Sequence, residues 1–488
     1  MPLGLLYVGG IIERAGHAVH VEDPYINDIN LTAFDRGIFS DIDNEINKFH
    51  PEIIGFGGIG SSYGRTKILS DYLFKKYPDI FQIAGGPLSS LFELLLTKTH
   101  INLVFHGETE NTLPSVLEKI KNKEDWKNIP GISYSDGNNV IRNTPAPQIE
   151  NLDDIPLPAY HLVRIEEYFT SISGIIDAFP DDRGKNFDVK SVTQKIQSDG
   201  RLLIMITSRG CTNKCSFCYR HMKGYRQHSV PYVINHIKFL HSRYGIRGFD
   251  FGDELFNFKK DWVLEFCDAL ERENLDIYYR ILGARVDRID REILQRLKDT
   301  GCIYITYGQE SGSDIILKEY KKGVTARKNT DITRLTKEVG LISPIQIVIG
   351  SPGETQRTIR ETIEFLIEND AGNPSLNYLI PFPETPIWKY VTDNGLIPDV
   401  EKYLDDVAEQ GGSPIVNLTR VPDRVWRSWF SQIQYELKLH DYRRKGKNFH
   451  YFLFYPAIKL FNIVNPLIPR KIIKSLKTVL SDRFRIHG

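Results

Sequence analysis

Cysteine is scarce in this chain, with five in 488 residues. A set that is both sparse and odd in number argues against a disulfide framework, and no secretory segment opens the sequence. Long apolar runs are missing as well: none reaches the roughly 18–20 residues that a membrane span needs. Net charge is also absent, since 62 Lys plus Arg balance 62 Asp plus Glu. The balance is uneven, however. Residues Asp441 to Gly488 carry 11 basic against 2 acidic side chains, a net of +9, and the preceding 440 residues carry −9. The basic charge belongs to the tail. What remains is an apolar content of 41% with 25% charged residues, an ordinary soluble globular composition. The length suits two or three domains.

Three of the five cysteines fall within eight residues, Cys211, Cys215 and Cys218, with Phe217 just before the last. The spacing is C-x3-C-x2-C. Three thiolates this close can hold three irons of a cubane cluster and leave the fourth iron open. Zinc is the competing reading, with His221 as a fourth ligand, but a closed zinc site usually shows paired C-x2-C knuckles.

Along the chain, helix and strand patterns alternate from the start. A helix over Pro2–Ala15 precedes a strand at Ala18–Asp23. Helices over Ile38–Phe49, Tyr63–Tyr77 and Leu88–Lys98 lead to strands at Ile53–Gly58, Phe81–Gly86 and Leu103–Gly107, and a helix over Thr109–Lys121 follows. This alternation predicts a doubly wound parallel α/β sheet, whose ligands sit at the carboxyl ends of the strands. Those ends carry Gly58, Gly60, Ser61 and Ser62; Gly85, Gly86, Pro87, Ser89 and Ser90; and Gly107 and Glu108. Residues 126–200 read as a proline-rich linker with one hairpin, Ile132–Tyr134 and Val140–Arg142, and then a polar insertion from Ser171 to Gly200, preferred here to a mobile lid. From Arg201 six strands are predicted: Leu202–Thr207, Phe249–Gly252, Tyr278–Leu282, Ile303–Tyr307, Ile345–Gly350 and Leu376–Ile380. With their helices they suit a partial parallel barrel with its chemistry at the carboxyl end. Polar clusters mark several strand ends: Asp253 and Glu254, Arg285, and Glu310 with Ser311.

The cysteine loop, these clusters, the run Gly350-Ser351-Pro352-Gly353-Glu354-Thr355 and the run Pro381-Phe382-Pro383-Glu384-Thr385-Pro386 resemble the ordered motifs of cobalamin-dependent radical S-adenosylmethionine (SAM) enzymes. The amino-terminal part resembles their cobalamin-binding domain, down to the linker phrase Leu152-Asp153-Asp154-Ile155-Pro156-Leu157-Pro158. The resemblance implies a Rossmann-like cobalamin domain over 1–125, a linker and insertion over 126–200, a radical SAM partial (β/α)6 barrel over 201–395, and a helical, basic extension over 396–488.

It also implies roles. Cys211, Cys215 and Cys218 would hold a 4Fe-4S cluster, with Phe217 beside it. Asp253 and Glu254 would accept from the methionyl ammonium of SAM, and Arg285 would pair with its carboxylate, the alternative being a plain ion pair. Glu310 and Ser311 would meet the ribose, and Ile349–Gly350 the adenine. Ser61, Ser62, Gly85, Gly86, Pro87 and Glu108 would line the corrin and its tail. Two departures stand out. Glu384 replaces the glycine usual in the proline-rich motif, which puts in doubt any backbone conformation needing that glycine. The first residues match a first helix and not the first strand of such a domain. A start upstream of Met1 is favoured over a four-stranded sheet with an exposed edge.

The resemblance implies reductive cleavage of SAM, hydrogen abstraction from an unactivated carbon by the deoxyadenosyl radical, and methyl delivery by methylcobalamin, with the cofactors supplying the difficult chemistry. A methyltransferase on a small-molecule or lipid-like substrate is the leading reading. A radical cyclase or ring-rearranging enzyme is the alternative, and a non-catalytic cobalamin-binding protein comes third. A low-potential donor of the flavodoxin or ferredoxin kind is implied. Nucleic acid is disfavoured, since no RNA-binding module is evident. The protein is expected in the cytoplasm. Its tail, a charged helix over Val421–Lys445 followed by aromatic and basic residues, suits either contact with an anionic membrane face or packing on the barrel.

Overall fold

The computed structural model describes residues 1–23, 36–179, 182–184, 186–188, 190, 192, 194, 200–407 and 415–446. Among these residues the chain forms two α/β sheets. The first comprises β1 (Ile53–Gly57), β2 (Phe81–Gly85), β3 (Leu103–Phe105), β4 (Ile132–Ser135) and β5 (Val140–Arg142), in that order. The first three run parallel, and β4 and β5 add antiparallel.

Two sequence expectations change here. Ala18–Asp23 joins no sheet; instead Val19 and Val21 pack on Gly9 of the helix Leu3–Arg14, where a Cβ would meet both side chains. Apolar alternation therefore served packing under a helix and not a ladder. The linker hairpin, in turn, extends the sheet, because Ile132 and Tyr134 bury against Ile83, Leu103 and Phe105. The result is a sheet of three parallel strands and a hairpin, not one of four parallel strands.

The second sheet curls into a half-barrel. Six parallel strands, β7 (Arg201–Met205), β10 (Gly248–Phe251), β11 (Tyr278–Ala284), β12 (Cys302–Glu310), β13 (Ile345–Ile349) and β14 (Ser375–Tyr378), follow one another in space. They match the predicted set to within a few residues. A short strand, β6 (Thr170–Ser171), pairs antiparallel with β7. Alternate side chains point to opposite faces. Phe249, Phe251, Tyr279 and Ile281 enter the core beneath the outer helices. Between them, Asp250 and Arg280 stand opposite each other in register on the inner face and form a bidentate pair.

The outer helices begin and end on local signals. Ser229 caps Val230–Tyr244, which Gly245 stops at φ 69°. Thr355 and Thr358 form a reciprocal cap on Gln356–Glu368. Two segments close the barrel. The helix Ile172–Ala178, at the start of the expected insertion, seats Ile172 and Ile176 against Leu202, Tyr278, Ile303 and Tyr304 at the amino end. This part of the insertion is a plug at the end away from the cysteines. The helix Asp423–Arg444 buries Trp426, Trp429, Ile433 and Leu437 on β13, β14 and Gln356–Glu368. Of the basic tail, everything after Gly446 lies outside the described residues. Among the described residues no helix is long and apolar enough to cross a membrane.

Candidate active site between the barrel mouth and the first sheet

The cysteines occupy a loop closed at its base by two short strands, β8 (Ser208–Arg209) and β9 (Arg226–Gln227), paired antiparallel. Gly210 has φ 81°, and a Cβ there would meet the Gly224 carbonyl oxygen at 2.5 Å, so the loop neck needs glycine. The middle of the loop is pinned from three sides. The Ser216 N–H donates to Tyr320 O at 3.0 Å, its hydroxyl donates to Glu319 O at 3.2 Å, and its carbonyl accepts from Ile387 N–H at 3.0 Å. Phe217 packs edge-on against Tyr320, with ring centroids 5.0 Å apart.

All three thiols are free. Their sulfurs do not all lie within 4.8 Å of one another, as the ligands of one tetrahedral ion would. His221 is turned away, its ring against the Gly107 backbone of the first sheet. A donor set of three separated thiols, with no fourth protein ligand among the described residues, fits a cluster with one open iron better than zinc. Burial pushes the Cys215 thiol up while Lys322 pulls it down; bound iron would favour the thiolate.

The expected SAM residues ring this loop. Asp253 is buried, and its Oδ1 accepts from Thr207 N–H (2.8 Å), Thr207 Oγ1 (3.1 Å) and Ser208 Oγ (2.6 Å). Burial still pushes its carboxyl up to about 6, and Oδ2 has no partner among the described residues. Glu254 is exposed beside it, near Cys218. Arg285 is engaged already: Nε and Nη2 donate to Asp287 (2.8 and 3.1 Å), and Nη2 also reaches Lys322 O at 2.9 Å. The ion pair weighed for Arg285 therefore exists, with Asp287 and not Glu254. Glu310 adopts φ 65° and accepts from Lys322 Nζ at 2.9 Å. Ser311 is buried and bonded to Thr362 and Ser313, so its hydroxyl serves the turn. Gly350 has φ 99° and lies under the Trp426 indole.

Sequence reasoning missed Lys322. It is partly buried among Glu310, Arg285 and Cys215; burial pulls its ammonium down, but Glu310 and Cys215 outweigh this and hold it up. Its only signal is Gly323 behind it, at φ 73°. In sequence Lys322 resembles any surface lysine.

Facing the loop are the glycine turns of the first sheet. Gly86 and Gly107 both have φ 69°, and a Cβ on Gly107 would meet no atom of the described residues within 4 Å. Ser61 Oγ is buried without a partner among the described residues. Ser62 begins the helix Tyr63–Lys76, Gly85 ends β2, and Pro87 shapes the Gly86–Leu91 turn. An open glycine ledge beside an orphaned hydroxyl fits a ligand edge carrying hydrogen-bonding groups. Glu108 points elsewhere: its carboxylate takes Arg209, Arg226 and the Ile149 N–H. The two halves also touch where Tyr219 nears Ser89, where Phe382 covers Gly60, and where Arg142 Nη1 meets Glu384 at 3.0 Å. Glu384 keeps φ 63° without being glycine.

This geometry agrees with known proteins. Residues 205–366 match the model of the Radical SAM superfamily. An uncharacterized methyltransferase of Pyrococcus horikoshii is 28% identical over 402 residues, covering 81% of this chain and 79% of the relative. The anaerobic magnesium-protoporphyrin IX monomethyl ester cyclase of Cereibacter sphaeroides is 21% identical over 416 residues, covering 82% of this chain and 62% of the cyclase. In structure the chain is similar to the radical SAM methyltransferase TsrM of Kitasatospora setae, solved with cobalamin and a [4Fe-4S] cluster. The TM-score is 0.62 at 18% identity, covering 80% of this chain and 72% of TsrM. The class follows: the chain carries a radical SAM domain on a curled half-barrel. The likeness in fold to TsrM reaches beyond the matched residues 205–366, over 80% of this chain.

Proposed function

We propose that this chain transfers a methyl group to an unactivated carbon of a small-molecule substrate. It would hold a 4Fe-4S cluster on Cys211, Cys215 and Cys218, SAM at the barrel mouth, and cobalamin on the glycine turns of the first sheet. The observation that carries this reading is the apposition of the cysteine loop and those turns, in which Tyr219 nears Ser89 and His221 lies on Gly107. When bound, these groups supply hydrogen abstraction and a transferable methyl group.

The chain's own residues bind and orient. Glu254 stands exposed near Cys218, where a carboxylate suits an ammonium. Asp253 shapes the strand end by gathering the Thr207 and Ser208 donors. Glu310 presents its carboxylate at a left-handed turn, held there by Lys322. Gly350, at φ 99° under the Trp426 indole, turns the chain at the end of β13, where the adenine is expected. Ser61, Gly86, Pro87 and Gly107 would meet the corrin periphery.

Anaerobic reconstitution with iron, sulfide and cobalamin tests the reading, followed by SAM, a low-potential reductant such as flavodoxin or ferredoxin, and candidate substrates. Bound cluster, bound cobalamin, 5′-deoxyadenosine and a methylated product are expected. A chain that binds no cobalamin, or yields no methylated product with any substrate it converts, sinks it. A ring-forming reaction is the second reading, motivated by the cyclase relative; deoxyadenosine with a product lacking an added methyl would favour it. Peripheral contact with an anionic membrane rests on the +9 charge of the tail. Co-sedimentation with anionic liposomes that survives removal of residues 441–488 would overturn it.

A further inference from the structure

Both strands that close the cysteine loop are gripped by one carboxylate of the other sheet. Arg209 and Arg226 face each other across the β8–β9 ladder. Arg209 stands two residues before Cys211, and Arg226 is the first residue of the strand that ends the loop. Arg209 Nη1 donates to Glu108 Oε1 at 3.0 Å, and Arg226 Nη1 donates to Glu108 Oε2 at 2.7 Å. The Glu108 side chain is 1% exposed. Arg209 also pairs with Glu110, so two cations and two anions share a closed interface. Glu108 Oε2 further accepts from Ile149 N–H at 2.8 Å, tying in the linker.

Such a cluster is a poor source of stability, because desolvating four charges offsets most of their attraction. Its geometry is narrow, however: each carboxylate oxygen takes its own guanidinium, from its own strand. Glu108 also directly follows Gly107, whose open turn would meet the corrin and against which His221 of the loop lies.

We propose that Glu108 is a positioning residue that fixes the cluster-bearing loop to the corrin-side turn, so that occupancy at one cofactor site is felt at the other. The proposal rests on the functional reading above. Coupling of this kind is reciprocal. Cobalamin will perturb the cluster, and the cluster will tighten cobalamin.

The test uses the full chain carrying Glu108→Gln, which keeps the shape and removes the charge. In the wild type, adding hydroxocobalamin should shift the EPR signal of the reduced cluster. Cobalamin should also bind about tenfold tighter to cluster-loaded than to cluster-free protein. In Glu108→Gln the cluster should still assemble and cobalamin should still bind, but the EPR shift should vanish and the two affinities should agree within about twofold. A merely structural Glu108 would lower the melting temperature and leave both couplings intact, which would overturn the proposal. If Glu108→Gln does not fold, Arg226→Met carries the same test, since it keeps the chain length and removes the donor that Glu108 Oε2 accepts from. Couplings that persist in a folded Arg226→Met, or that are missing from the wild type, overturn the proposal. A wild type that binds no cobalamin overturns the functional reading itself, and the proposal with it.

Discussion

Lys322 Nζ lies 2.9 Å from Glu310 Oε1, and both side chains are only 12% exposed. The pair bridges the end of β12 and the cysteine loop. Removing one member strands the other: Lys322→Met should cost about 3 kcal/mol and raise the KM for SAM roughly tenfold. Adding Glu310→Gln should restore much of the stability but not the KM. Chemical denaturation and SAM titration of the two variants check this.

Replacing any one of Cys211, Cys215 or Cys218 by Ala should abolish the cluster while sparing the fold, because Ser216 and Phe217 anchor the loop through Tyr320, Glu319 and Ile387. Iron content should fall well below that of the wild type and deoxyadenosine should disappear, with a change in stability of about 1 kcal/mol or less. Unfolding of all three single variants would show that the loop, and not the metal site, was disrupted.

Glu384 holds a left-handed φ and an exposed pair with Arg142. Glycine at this position relieves backbone strain of about 1 kcal/mol, and the exposed pair contributes at most about 1 kcal/mol. Glu384→Gly should therefore leave stability nearly unchanged. Glu384→Ala keeps the strain, loses the pair, and should be the less stable of the two. Denaturant midpoints compared side by side decide it.

Glu354 is buried, and burial pushes its carboxyl from the ordinary 4.5 up to about 8, against the Gly350 and Ser351 N–H groups that favour its charge. In the unfolded chain it ionises near 4.5, so between about 4.5 and 8 the unfolded state holds fewer protons and this group's contribution to stability declines as pH rises. Glu354→Gln should thus be more stable than the wild type at pH 8–9, by on the order of 1–3 kcal/mol, and no more stable near pH 4.5. Parallel thermal melts across that range are the check.

Much of the barrel was legible because its strands alternate two kinds of burial. Phe249 and Phe251 bracket Asp250, and Tyr279 and Ile281 bracket Arg280, a period-two signal that helices between them reinforce. The cysteine triplet was legible because its members lie within eight residues of one another and need no distant partner to be seen as a group. What failed depended on partners distant in sequence. Val19 and Val21 alternate like a strand but answer to Gly9 and the helix carrying it. Lys322 is a site residue only because Glu310 and Cys215 meet around it. Glu108 carries a turn motif whose purpose appears once Arg209 and Arg226, more than a hundred residues away, fold onto it. Glu384 looked incompatible with its backbone, yet the strain is small enough for a non-glycine residue to bear.

The stopper formed by Ile172 and Ile176 has a consequence for traffic. Among the described residues this stopper fills the amino end of the barrel, which leaves the carboxyl end, with the cysteine loop, as the face open to a ligand. Substrate and product of the proposed methyl transfer would then share that side, so turnover would take the form of a queue and not a through-flow.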